Sequence, residues 1–289
     1  MKHIVGFSGG IDSQACALWV RERFPAEDII LLNTTAGGNE HPLTLAFVEQ
    51  YSREVFPVTV IPALVKDMWI TPNFAETRHW RCGEEELTFD EMIRIKKRPP
   101  SPQAQFCTEI LKLRPQRRWL TENVTDEYER YTGLRRDESR ARRNTPNREW
   151  DDYFDCYANH PIADWPKAQA FEAVKEAGEL INPLYSLGFG RVGCAPCINS
   201  GKEDITRWAQ RAPEMIDKIR GWEESTGFTF FAPCVPGIRP RIDSRGKLTI
   251  HNWVDEVVEW ARTDRGGKQF NILQGLDLPS CESKFGLCE

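Results

Sequence analysis

An α/β fold built on a doubly wound parallel sheet follows from three features of the sequence. His3-Ile4-Val5 passes through a Ser-Gly-Gly turn straight into an apolar-periodic stretch (Ala15, Leu18, Trp19), which is the pattern of strand, tight loop and helix. Apolar runs at 28–33 and 56–62 then flank a helical pattern through Phe47, Val48 and Tyr51. Such alternation indicates parallel strands joined by crossover helices. The first two strands also end in glycine-containing loops, and ligands lie at the carboxyl ends of strands in open α/β sheets.

The first loop reads Phe7-Ser8-Gly9-Gly10-Ile11-Asp12-Ser13. Gly9 and Gly10 let the backbone turn sharply and come close to an anion. The Ser8 and Ser13 hydroxyls add donors, and the N–H groups of the first helical turn carry the positive end of the helix dipole. This is a phosphate-holding arrangement without the Walker pattern, since no Gly-x-x-x-x-Gly-Lys-Ser/Thr occurs.

The second strand, Asp28 to Asn33, runs into Thr34-Thr35-Ala36-Gly37-Gly38-Asn39-Glu40, and His41-Pro42 opens the next helix. A third strand spans Phe56 to Pro62. Residues 67–105 read as irregular: Trp69, Trp80, Cys82, an acidic run at 84–86 and a basic, proline-rich stretch at 96–102 suit either a surface insertion or a substrate-facing loop. A helix is expected from Phe106 to about Leu120. Glu127 to Gly133 has β character and leads into Leu134-Arg135-Arg136-Asp137-Glu138-Ser139-Arg140. Clustered arginines after a strand suit an oxyanion, because each guanidinium offers a bidentate fork; a solvated, salt-bridged helix start is the plainer alternative. Helical patterns follow at 167–178 and 202–226, then a short strand and a helix at 247–262. The expected division is a nucleotide-binding domain over 1–200 and a mainly helical, cysteine-containing extension over 201–289 packed on it.

Of 289 residues, 40% are hydrophobic and 28% charged, the balance of a globular protein, and no apolar run approaches the length of a membrane span. The opening residues enter a strand directly, so a cytoplasmic protein without membrane association is expected. In that compartment structural disulfides are disfavoured, and nine cysteines point to metal ligation or sulfur chemistry, with Cys16 in the first helix expected in the core. Eleven Lys and Arg against six Asp and Glu between Lys112 and Arg148 give a local +5 inside a net charge of −5. A basic centre in an acidic chain suits a locally bound anion rather than broad nucleic-acid affinity.

Ser-Gly-Gly-x-Asp-Ser resembles the pyrophosphate-binding loop (PP-loop) of the ATP-pyrophosphatase superfamily. Thr132-Gly133-Leu134-Arg135-Arg136-Asp137-Glu138-Ser139-Arg140, Pro161-Ile162-Ala163-Asp164-Trp165, Asn182-Pro183-Leu184-Tyr185 and Arg191-Val192-Gly193-Cys194-Ala195-Pro196-Cys197 resemble, in order, stretches of PAPS reductases and their relatives. The resemblance spans residues 3 to about 200 and implies a Rossmann-like, adenine nucleotide alpha-hydrolase sheet. Where relatives carry Asp-Thr-Gly after the second strand, this chain has Asn33-Thr34-Thr35, a departure at the adenine or ribose contact that the resemblance implies.

The resemblance implies ATP and Mg2+ on Ser8, Gly9, Gly10, Asp12 and Ser13. Asn33, Thr34, Gly133 and Arg140 would touch nucleotide, and Asp12, Ser13, Arg135 and Arg136 would carry the chemistry. It also implies a 4Fe–4S cluster, with zinc as the alternative, on Cys107, Cys194 and Cys197. Thr108 stands where APS reductases have a second tandem cysteine, so a fourth ligand is sought in Cys288, or else Cys281; Cys82, Cys156 and Cys234 are weaker choices. The Glu-Cys-Gly-x-His segment of PAPS and APS reductases has no match in the sequence. The chain therefore more closely resembles the iron–sulfur sulfurtransferases of DNA phosphorothioation and their phage-borne relatives. The activity so implied is ATP pyrophosphatase and sulfurtransferase, with DNA as acceptor, a cysteine desulfurase as sulfur donor and a homodimer as an open arrangement. The rivals are a sulfonucleotide reductase and a non-catalytic, cluster-bearing binding module.

Overall fold

The computed structural model describes residues 1–69, 84–232, 241–242, 248–249 and 252–263. Its central sheet is built from β1 (Lys2–Gly6), β2 (Ile29–Thr34), β3 (Val58–Ile61), β4 (Tyr128–Tyr131), β5 (Arg148–Asp151) and β6 (Cys156–Asn159). Their order is β3-β2-β1-β4-β6-β5, all parallel except β5, which runs antiparallel to β6. The chain moves outward from β1 through β2 to β3, then returns to place β4 on the other side of β1. The strand order therefore reverses between β1 and β4, and a crevice opens outside their carboxyl ends.

The central strands are buried on both faces. Val5, Leu31 and Tyr131 join the core formed with α1 (Ile11–Arg21), α2 (Pro42–Glu54) and α5 (Lys167–Glu176). Ile4, Leu32 and Ile61 face the opposite way, toward Leu120, Phe154 and Cys156. The alternation of Ile4 and Val5 between cores is the period-2 signature of a strand covered on both sides.

The region expected to be irregular contains α3 (Phe89–Lys96). Thr88 and Glu91 cap its start reciprocally, and Phe89, Met92 and Ile93 bury one face at helical spacing. The flanking proline-rich and acidic residues hid that short amphipathic element. The next helix, α4 (106–123), is continuous but changes winding: Phe106–Thr108 and Arg114–Asn123 are α-helical, and Glu109–Leu113 between them is a π-helix. Such wide turns often mark functional sites.

After the short α6 (Pro183–Ser186) come α7 (Lys202–Arg211), α8 (Pro213–Thr226) and α9 (Val254–Ala261). The expected single helix over 202–226 is thus two, divided before Pro213, whose ring cannot continue a helix. Gly227 ends α8 in the left-handed conformation. Trp208, Ile219, Trp222 and Val257 from these helices share one core with Met92, Leu111, Leu184 and Cys197. The buried Glu223 carboxylate accepts from Phe230 N at 2.9 Å and Val254 N at 2.8 Å, tying α8 to α9. Among the described residues no helix is long and apolar enough to cross a membrane.

Candidate nucleotide and thiol site

The Ser8–Ser13 loop crosses from β1 to α1 at the reversal point. Gly9 has φ +80°, a conformation that side chains rarely adopt. The loop is closed by its own hydroxyls: Ser13 Oγ donates to Gly10 O at 2.8 Å and accepts from Ser8 N at 3.2 Å. It is held from behind by the Asn182-Pro183-Leu184-Tyr185 stretch. Asn182 Nδ2 donates to Gly9 O at 3.1 Å, and the Tyr185 hydroxyl accepts from Ile11 N at 2.9 Å.

Gly133 follows β4 and presses on this loop. A Cβ there would stand 2.4 Å from both Asp12 C and Asp12 O and 2.7 Å from Ser13 N. Only the absence of a side chain lets the end of β4 close against the start of α1. Between them lies a cleft lined by Ser8, Asp12, Ser13, Thr34, Lys112, Gln116, Thr132, Gly133, Glu138 and Arg142.

The structure distributes the predicted arginines unequally. Arg135 is buried; its Nε donates to Asp12 Oδ1 at 2.7 Å, and its Nη1 pairs with Asp137. It holds Asp12 from inside the fold. Arg136 clasps Thr145 O, Asp164 and Asn147, and Arg140 is exposed. The arginine of this segment that lines the cleft is Arg142, buried and ion-paired with Glu138. Of the predicted Asn33 and Thr34, Thr34 lines the cleft and accepts from Gln116 Nε2 at 2.7 Å. Asn33 donates its amide to Phe7 O at 2.8 Å, bracing the end of β1, and lines a smaller space beside the cleft with Ser8, Thr34 and Lys112.

A second, largely apolar pocket brings Cys107, Cys194 and Cys197 together with Phe89, Leu111, Lys112 and Ile198. Residues nearly ninety apart in sequence converge because the loop after β2 is stitched to the cysteine loop. Asn39 Nδ2 donates to Pro196 O at 2.8 Å, Ala195 N donates to Asn39 O at 2.7 Å, and Glu40 forms a β-bridge with Cys194. From α8, Lys218 Nζ donates to Asn39 Oδ1 at 3.3 Å. Burial raises the Glu40 carboxyl above its ordinary pKa, against the Ala36 N–H and the charges of Lys112 and Lys218.

A narrow space lined by Ser8, Thr34, Glu40, Lys112 and Cys194 lies between cleft and cavity. Lys112, on the π-helical turn, lines all three spaces. Sequence reading passed over Lys112, Gln116, Glu138 and Arg142 as members of a basic helix and a charged turn. The signal that could have found Lys112 is its place five residues after Cys107.

The donor set fits a metal group in part. Three thiols line one cavity, yet among the described residues no group of three or more His, Cys, Asp or Glu surrounds a point where a single ion would sit. Zinc draws its ligands to about 2.0–2.3 Å from one centre. Cys281 and Cys288, the expected fourth ligands, and Cys82 and Cys234 lie outside the described residues. Cys16 and Cys156 are buried elsewhere, and burial raises both thiols, Cys156 to about 11.

A glycine-rich loop at the reversal point of a doubly wound sheet defines a nucleotide-binding α/β domain of the PP-loop type. The phosphoadenosine phosphosulfate reductase domain matches residues 2–200, and the chain belongs to that family. An uncharacterised 37.8 kDa protein of Escherichia phage 186 is 26% identical over an alignment of 327 positions that covers 99% of this chain and 96% of the phage protein. An adenosine 5'-phosphosulfate reductase of Streptomyces coelicolor is 38% identical over 37% of this chain and 45% of its own length. The corresponding enzyme of Allochromatium vinosum is 33% identical over 49% of this chain and 53% of its own length. The chain thus spans about half of each of these reductases. A phosphoadenylyl-sulfate reductase structure from Candida auris superposes with a TM-score of 0.44 at 16% identity, covering 68% of this chain and 83% of that one.

Proposed function

We propose that the chain is an ATP pyrophosphatase that activates an acceptor by adenylation and delivers sulfur to it. The observation that carries this reading is the meeting of the phosphate loop and the three-thiol cavity at one residue, Lys112. ATP would lie with its β- and γ-phosphates on Ser8–Ser13, accompanied by Mg2+. An acceptor oxygen attacks the α-phosphorus, the bond to the pyrophosphate oxygen breaks, and the loop N–H groups stabilise charge on the departing pyrophosphate. Asp12, fixed by Arg135, holds the loop's first helical turn in place. Lys112 supplies positive charge along the cleft, where Arg142 is paired with Glu138. Sulfur at the sulfide level, freed from a cysteine desulfurase's persulfide by a thiol reductant, then displaces AMP. With a DNA phosphate as acceptor the product is a phosphorothioate. A 4Fe–4S cluster on Cys107, Cys194, Cys197 and a fourth thiolate would supply an electron-transfer or sulfur-binding centre beside the cleft.

A second reading, a sulfonucleotide reductase, is favoured by the 38% and 33% identities to adenosine 5'-phosphosulfate reductases. Incubation of anaerobically purified protein with ATP–Mg2+ and with adenosine 5'-phosphosulfate plus thioredoxin separates the two. Pyrophosphate from the first supports the proposal; sulfite from the second, without pyrophosphate from the first, overturns it. Iron, sulfide and zinc analysis of the same sample tests the cluster: about four irons per chain are expected, and stoichiometric zinc contradicts it.

A further inference from the structure

We infer that His160 is a positioning residue for the bound nucleotide: through Thr132, its charge state sets whether the cleft offers a hydrogen-bond acceptor or a donor at the end of β4. The inference rests on the reading of the cleft as a nucleotide site. His160 is buried just after β6, next to β4, and its Nδ1 lies 2.7 Å from Thr132 Oγ1. Its Nε2 faces the Glu149 carboxylate of β5 at 3.5 Å. Thr132 lines the cleft beside Gly133, and His160 stands behind it, in contact with Thr132. Carboxylate, imidazole and hydroxyl thus form a chain from the solvent edge of the sheet to the cleft, since Glu149 is about half exposed.

The chemistry follows from the donor inventory of each group. The Glu149 carboxylate only accepts, so it selects the tautomer with the proton on Nε2 and leaves Nδ1 an acceptor. Thr132 then spends its single proton on Nδ1 and can offer a ligand nothing but lone pairs. In that state it takes a donor, such as a ribose hydroxyl or an exocyclic amine. When His160 is protonated, Nδ1–H donates to Thr132, and the hydroxyl proton turns to any other acceptor, such as a phosphate oxygen. The charged groups facing the ring are Glu149 from β5, Arg130 from β4 and Arg136 from the turn after it. Burial pushes His160 below its ordinary value, the carboxylate opposes this, and both arginines reinforce it. The imidazole is therefore neutral at pH 7, and the acceptor state is the working one.

Imidazole 15N spectra across pH test this directly, first without ligand and then with ATP–Mg2+. The free protein should show the Nε2–H tautomer and a midpoint below 6.5, and Thr132→Val should move that midpoint. Nucleotide should lower the midpoint further, because binding and protonation are reciprocally linked. Affinity for ATP should then fall about fivefold as pH drops through it, the loss of one neutral hydrogen bond. His160→Gln should flatten this pH profile, and Thr132→Ser should restore what Thr132→Val removes. An Nδ1–H tautomer at pH 7, a midpoint indifferent to nucleotide, or an unchanged profile in His160→Gln overturns the inference. If adenosine 5'-phosphosulfate shows the pH-linked binding and ATP does not bind, the ATP reading fails and the role of His160 stands.

Discussion

Substituting Gly133 by alanine tests how closely the two halves of the cleft are fitted. The added Cβ would stand 2.4 Å from Asp12 C and O and 2.7 Å from Ser13 N. All three are backbone atoms, so no side chain can swing away. Ordinary contact requires the end of β4 and the loop to part by about 1 Å. Overpacking of this kind costs about 1–3 kcal/mol of stability. A shift of about 1 Å in a loop that positions phosphates costs on the order of 10²-fold in turnover. Gly133 is not left-handed, so the effect comes from space alone. Pyrophosphate release from ATP–Mg2+ and a thermal melt measure both quantities. Turnover within twofold of wild type together with an unchanged melting temperature would refute the close approach.

Three further outcomes follow from the same geometry. Arg135→Met leaves the Asp12 carboxylate buried beside a missing partner and should cost about 3–5 kcal/mol in denaturant unfolding, with Asp12→Asn on top of it restoring part of that loss. Lys112→Met should weaken ATP binding about tenfold at low ionic strength and less at high salt, as removal of a charge lining the cleft requires. Glu223→Ala strips the acceptor from two buried N–H groups at about 1–3 kcal/mol each. Burial raises the Glu223 pKa to about 7, so its protonated form is favoured in the fold. That contribution is fully present near pH 4.5 and lost as pH rises through 7, and melts of Glu223→Ala across this window should lack the fall seen in wild type.

The sheet was legible wherever an apolar strand met a glycine turn. Ile4-Val5, Leu31-Leu32 and the Ser8–Ser13 loop carry local signals that do not depend on the rest of the fold. β5 carries no local signal because Arg148-Glu149-Trp150-Asp151 is a polar, mostly exposed edge strand with no alternation to find. The site divided in the same way. Cys107, Cys194 and Cys197 could be grouped by resemblance, and the structure brings them to one cavity. The arginine segment was found as a whole, but which guanidinium faces the cleft depends on tertiary pairing. Arg135 turns to Asp12 across 123 positions, and Arg142 lines the cleft from a buried ion pair with Glu138. Neither partner choice has a local signature. The Thr132–His160 bond likewise arises only because β4 and β6 are neighbours in the sheet.

Pyrophosphate release from ATP, measured with wild type and Ser13→Ala in the presence of acceptor and sulfur donor, tests most directly whether the Ser8–Ser13 loop serves ATP cleavage. Ser13 closes that loop through Gly10 O and Ser8 N. Its loss should lower the rate by about 10²–10³-fold, the scale for a disrupted charge-stabilising donor array. Equal rates in the two proteins, or no pyrophosphate from either, would contradict the account.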